Sequence, residues 1–295
     1  MYPEQEVVFE VGQRKQCLEL RMVLLAAGIA ARAIQDGTSW KLWVASNDYD
    51  TASREIESYL DEQQETVSKD SSLEVEAPGR FLGIFLYVAV TAFFAMFNST
   101  NTGEALFTVG NTHAGSLLSG EWFRAFTALT LHQDFGHLLS NLIFGAIFGF
   151  LASEMLGGGV AWLLILLGGA MGNLVNAMLR EPTHMSIGAS TAVFAALGVG
   201  VAHALWASFR TQRKSISKWK PLVGGVLLLA FLGIGGENTD VGAHFTGFFS
   251  GLVIGVASLW IPKAAIANGK FQIAGGVAAA GILAAAWGAA LLQLQ

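Results

Sequence analysis

Seven apolar stretches, at 81–98, 137–156, 159–179, 188–208, 221–236, 242–260 and 271–292, constrain this chain more than any other feature. A helix needs about 20 residues to cross the hydrocarbon of a bilayer, and most of the seven approach that length. The fifth is the shortest. They predict a polytopic α-helical membrane protein, and a mean hydropathy of +0.51 with only 13% charged residues agrees. Orientation is read from loop lysines and arginines. Arg210, Arg213, Lys214, Lys218 and Lys220 follow the fourth stretch, and Lys263 and Lys270 follow the sixth. The alternate loops carry only Arg124 and Arg180. Basic loops face the cytoplasm, so the N-terminus is expected there, with the C-terminus on the outer side.

Charge separates a head from this apolar body. Residues 1–80 hold 15 acidic against 8 basic residues, while residues 81–295 hold 7 against 9. The formal charge of −5 therefore belongs to the head, and it argues against nucleic acid as a partner. Residues 1–66 read as a small soluble α/β domain of order βαββα: strands at 6–11, 29–35 and 40–46, helices at 14–27 and 50–65. Asp36-Gly37-Thr38-Ser39 is a hairpin signal between the last two strands. Residues 67–80 form a polar linker. The start of the chain lacks a basic segment followed by an apolar one, so no cleavable signal peptide is expected. Cys17 is expected as a reduced core thiol, and no Cys/His cluster has metal spacing.

The chemistry begins with polar groups at helix ends. Ser190 opens the fourth stretch and His244 the sixth. On the expected topology both lie at outer ends, at similar depth. A bilayer tolerates such groups mainly where they face a bundle interior or a water-filled cavity, which makes them site candidates. Together they supply a nucleophile and a base for serine hydrolysis. Gly247, Gly251 and Gly255 recur every four residues on the sixth stretch, a close-packing face. Gly198 and Gly251 lie roughly 10–12 Å below Ser190 and His244 at 1.5 Å per residue, so a crossing there would bring the two together. His137 and Asn141 are four apart on one face of the second stretch. Their side chains can donate to an oxyanion, as can the free amides where the fourth helix starts.

Gly188-Ala189-Ser190, Ala243-His244-Phe245-Thr246-Gly247, His137 with Asn141, and Glu121-Trp122-Phe123-Arg124 together resemble the rhomboid family of intramembrane serine proteases. The resemblance covers about 81–260. It implies a six-helix protease core there, with a Ser190–His244 dyad and an oxyanion site from His137, Asn141 and the Ser190 amide. It also implies a first outer loop that contains Arg124 and Glu121, and an aromatic Phe194 against the catalytic histidine. Residues 261–295 add a cytoplasmic loop and a seventh transmembrane helix. No metal or organic cofactor is implied. The implied partners are transmembrane protein substrates and the lipid bilayer, in a bacterial inner membrane with the active-site opening on the periplasmic side. Thr191 departs from the family pattern, which continues with glycine, and its methyl and hydroxyl are expected to crowd the oxyanion pocket.

Other polar residues carry plainer expectations. His132 reads as interfacial or structural, with positioning of water or substrate as the alternative. Asn173 and Asn176 read as helix–helix bonding groups, with a role in holding the hydrolytic water as the alternative. Glu154 reads as structural, His203 as too deep for the site, His113 and His184 as solvated loop residues, and Asp240, one turn before His244, as a solvated loop residue with a third triad member as the alternative. Two rival functions stay open: a non-catalytic rhomboid-like protein that binds membrane clients, and a transporter whose membrane histidines relay protons or bind metal.

Overall fold

A computed structural model of the chain describes residues 4–73, 79–210, 218–233 and 240–295, which fall into two compact units, Met1–Val75 and Glu76–Gln295. The first unit runs β1 (Gln5–Val11), α1 (Arg14–Ala26), β2 (Ala31–Asp36), β3 (Ser39–Ala45) and α2 (Tyr49–Leu73). Its sheet is antiparallel in the order β1-β3-β2. Asp36 pairs with Ser39, so Gly37 and Thr38 make a two-residue turn. Gly37 takes φ +60°, which such a hairpin turn demands. Leu42 and Val44 alternate on the inner face and share one core with Cys17, Leu20 and Leu24 of α1 and Ile56 of α2. α2 runs on to Leu73 instead of ending near 65. The stretch 66–73 is polar but contains neither glycine nor proline, and so nothing in it stops a helix. The end of the expected linker, 74–78, lies outside the described residues.

The second unit contains α3 (Arg80–Ala95), α4 (Asn101–Gly110), β4 (Thr112–His113), α5 (Ala114–Leu118), α6 (Arg124–Thr127), α7 (Phe135–Leu156), α8 (Gly158–Leu179), β5 (Met185–Ser186), α9 (Ser190–Arg210), α10 (Lys220–Gly233), α11 (Val241–Ser258), α12 (Lys263–Ile266) and α13 (Gly269–Leu291). Among the described residues five helices are long and apolar enough to cross a membrane: α7, α8, α9, α11 and α13. α3 and α10 are apolar but shorter. α3 stops early because the chain turns at residues 96–100, where Thr100 caps α4 by accepting the Gly103 amide at 3.0 Å. Residues 234–236 of the fifth stretch and 211–217 of the basic run lie outside the described residues.

α9 is the most enclosed of the long helices and packs against α7, α8, α10 and α11. Its contact with α11 is backbone on backbone. A Cβ added at Gly247 would lie 2.3 Å from Thr191 O, one at Gly251 2.1 Å from Ala195 O, and one at Gly198 2.2 Å from Phe248 O. Small residues permit this approach, which in hydrocarbon rests on packing, since burial from water contributes little. The outward faces carry large apolar side chains such as Phe231, Val253, Ile273 and Val277, each more than 60% exposed. Such a surface suits lipid. α13 lies against α8, where the buried Gln272 accepts from Val160 N–H at 3.0 Å and donates to Leu156 O and Ile266 O at 2.9 Å.

Candidate active site

The approach to Ser190 is fixed on both sides. β5 pairs antiparallel with β4, Thr112 opposite Ser186 and His113 opposite Met185. The chain then turns at Gly188, whose φ of +121° is a conformation that side chains disfavour. Gly188 N–H donates to Ala128 O at 2.9 Å, and Ala189 N–H donates to His132 Nε2 at 3.4 Å. α9 begins immediately afterwards, with Ser190 partly exposed as its first residue. The first-turn amides have no intrahelical acceptor and form the positive end of the helix dipole.

α7 brings His137 and Asn141 to the same corner. Asp134 caps this helix by accepting His137 N–H at 2.8 Å. The His137 imidazole presses on Gly188: a Cβ there would lie 2.6 Å from its Cε1 and Nε2 and 3.6 Å from Asn141 Nδ2. Asn141 is 5% exposed, and its Nδ2 has no hydrogen-bond partner among the described residues. A buried, unpaired donor costs about 1–3 kcal/mol and asks for a functional account. Tyr87 of α3 holds this stretch of α7, stacking on Trp162 and donating to Asn141 O at 2.8 Å.

α11 supplies His244, 7% exposed, one turn into the helix that Asp240 caps. Phe194, one turn along α9 from Ser190, lies with its ring centroid 4.6 Å from that of His244. Ser190, His244, His137, Asn141, Gly188 and Phe194 all line one cavity of about 710 Å³. The residues that sequence reasoning singled out for nucleophile, base and oxyanion donors therefore share one space. Among the described residues no group of three His, Cys, Asp or Glu could hold a metal ion.

Three expectations, for Asp240, His184 and His113, need correction. Asp240 is no solvated loop residue. Besides capping α11, its carboxylate accepts from Arg180 Nη2 and lies 2.7 Å from His184 Nε2, and it accepts from Asn176 Nδ2 at 2.8 Å. Burial raises its pKa, but these bonds from His184, Arg180, the Ala243 amide and Asn176 outweigh burial and hold it at about 2. His184 is likewise bound in this cluster, which ties the α8–β5 loop to the start of α11. Thr191 is 3% exposed, and its Cγ2 reaches Gly172 of α8 and Gly247 of α11. The methyl fills an interhelical notch because two glycines leave one there. His113 is also engaged, capping α5 by accepting Ser116 N–H at 3.2 Å.

The supporting residues form a frame around the cavity. The buried Arg124 pairs with Glu121 and donates to Thr108 O and Asn111 O at 3.1 and 3.0 Å, closing the C-terminal end of α4. Asn173 Nδ2 donates to Ala125 O at 2.9 Å. His203 bonds Ser258 at 2.8 Å, and Glu154 pairs with Arg80 at 2.7 Å, both away from the cavity. His132, expected as interfacial or structural, is 1% exposed and takes a structural place beneath the approach to Ser190. Burial, with His137 nearby, pushes its pKa down to about 4, so the neutral ring keeps Nε2 as an acceptor for Ala189. The one available signal was its spacing, five residues before His137.

Known proteins resemble parts of this chain in sequence. Residues 119–261 match the family model described as Rhomboid domain. The chain is 28% identical over 207 residues to Rhomboid protease GluP of Bacillus subtilis (strain 168), covering 68% of this chain and 39% of that protein. It is 29% identical over 146 residues to Rhomboid-like protein 11, chloroplastic, of Arabidopsis thaliana, covering 48% and 52%. It is 29% identical over 153 residues to Rhomboid-like protease 3 of Toxoplasma gondii, covering 51% and 57%. The matches thus span roughly two fifths to three fifths of those relatives' lengths. With several apolar helices and a match to the Rhomboid domain over residues 119–261, this chain is a multi-pass membrane protein that carries a rhomboid domain.

Proposed function

We propose that the protein is an intramembrane serine endopeptidase that cuts transmembrane segments of other membrane proteins. The observation that carries this reading is the shared cavity of Ser190, His244, His137 and Asn141, with the Asn141 amide donor unpaired among the described residues. His244, steadied by Phe194, takes the proton from Ser190 Oγ as the oxygen attacks the scissile carbonyl. The developing oxyanion meets Asn141 Nδ2, His137 and the Ser190 amide, donors fixed before substrate arrives, so little reorganisation is needed in the transition state. Collapse of the tetrahedral intermediate breaks the peptide C–N bond as the protonated His244 gives its proton to the leaving amine, and water with His244 as base then hydrolyses the serine acyl-enzyme and frees Ser190. In this scheme Asp240 is no third catalytic member, since Arg180, His184 and Asn176 occupy its carboxylate.

The distribution of loop lysines and arginines supports a cytoplasmic head and a cavity that opens on the outer face of a bacterial inner membrane. Labelling by a serine-directed fluorophosphonate tests the nucleophile. The purified protein should label, and Ser190→Ala should not. Equal labelling of the variant would remove Ser190 from the role, and a folded wild type that neither labels nor cuts would favour the client-binding alternative.

A further inference from the structure

α13 adds a long helix beside the protease core, and its C-terminal end reaches the corner where Ser190 begins. An indole N–H in an apolar bundle needs an acceptor. Trp287, 7% exposed, donates from Nε1 to Thr130 Oγ1 at 3.2 Å. The indole is itself held in place: it stacks on Phe94 of α3 with centroids 4.4 Å apart and lies against Gly110 of α4. Around it, Leu106, Val109, Phe123, Leu131 and Ala290 form an apolar cluster against which Ile187 also packs.

Thr130 sits in the middle of the segment that anchors the nucleophile's approach. Its hydroxyl donates to Thr127 O at 2.8 Å, and Thr127 Oγ1 donates to Gly110 O at 2.8 Å. Two residues before Thr130, Ala128 O accepts the Gly188 amide; two residues after it, His132 Nε2 accepts the Ala189 amide. Ile187 thus packs on the cluster around Trp287, and Gly188 and Ala189 rest on groups two residues to either side of Thr130, its hydrogen-bond partner. We propose that Trp287, through its bond to Thr130, is a positioning residue for Ser190, so that the seventh helix holds the nucleophile's backbone in register with His137 and Asn141. This rests on the reading of Ser190 as the nucleophile.

The consequence is specific. A shift of the 187–190 backbone changes the distance between the Ser190 amide and the other oxyanion donors, contacts that strengthen only in the transition state. Loss of the buttress should therefore lower kcat and leave KM nearly alone. A purely stabilising helix would lower the melting temperature and leave kcat per folded enzyme unchanged.

The test uses the full-length protein in detergent with a model transmembrane substrate, with kcat normalised to folded enzyme. Trp287→Phe keeps the stack on Phe94 and removes the N–H. Thr130→Val removes the acceptor from the other end of the same bond, so one variant stands in if the other folds poorly. Each should lower kcat by roughly three- to tenfold, the scale of one hydrogen bond, with KM within about twofold. Thr130→Ser, which keeps the hydroxyl, should restore kcat toward wild type. The double variant Trp287→Phe/Thr130→Val should be no slower than the slower single. Unchanged kcat in Trp287→Phe, or fully multiplying losses in the double variant, overturns the proposal even if melting temperatures fall. A wild type that is folded yet fails to turn over and to label at Ser190 would overturn the nucleophile reading itself, and this inference with it.

Discussion

Gly188→Ala probes the corner on which the reading of the site depends. At φ +121° an alanine is strained whatever space surrounds it, at a cost on the order of 1–3 kcal/mol. Its Cβ would also lie 2.6 Å from two atoms of the His137 ring, well inside ordinary contact, so the imidazole or the backbone must move by most of an ångström. Misplacement of about 1 Å can cost on the order of 10²-fold in rate, and loss of an oxyanion donor about 10²–10³-fold. Cleavage kinetics of the purified variant should show kcat down by roughly 10²-fold or more, with a smaller change in KM. In a His137→Ala background the clash is gone, so the same substitution should cost much less; the two losses should not multiply. A Gly188→Ala enzyme with wild-type kcat, or losses that multiply fully with His137→Ala, would refute this picture of the corner.

Three further outcomes follow from the same geometry. Thr191→Gly should lower the melting temperature, because it empties the notch between Gly172 and Gly247 and adds up to ~1 kcal/mol of helix-propensity cost; a gain in activity at unchanged stability would show instead that the side chain crowds the site. Asp240, whose pKa in the fold is depressed to about 2, should contribute on the order of 2 kcal/mol that is present above about pH 4 and lost as pH falls toward 2; thermal melts over that range should be steeper for wild type than for Asp240→Asn, and parallel profiles would contradict the cluster. A protein that starts near Pro78 should insert and keep its labelling at Ser190, because Glu76–Gln295 is a compact unit; loss of labelling in a folded, truncated protein would make the head an activator.

Much of this was legible in the sequence for identifiable reasons. Long apolar runs and the Asp36–Ser39 turn are local signals, and local physics fixes a helix in hydrocarbon or a two-residue hairpin. Ser190, His244, His137 and Asn141 were legible because polar groups at helix starts stand out against apolar surroundings. The Asp240 cluster was not, because Arg180 and His184 are sixty and fifty-six residues away and look like ordinary loop residues until the fold brings them together. The packing of Thr191 was not legible for a related reason: its methyl has a place only once Gly172 and Gly247 face it from two other helices. The early end of α3 escaped notice because an apolar run continues through Phe97, while Asn98 and Thr100 turn the backbone.

The central claim is that Ser190 and His244 act as one catalytic unit in a membrane-embedded cavity. Its most direct test is the turnover of a model transmembrane substrate by the purified wild type, Ser190→Ala, His244→Ala and the double variant, each verified as folded. Wild type should cleave, both single variants should fall to background, and the double variant should be no worse than either, because members of a catalytic unit do not act additively. Robust turnover by folded Ser190→Ala would contradict the claim.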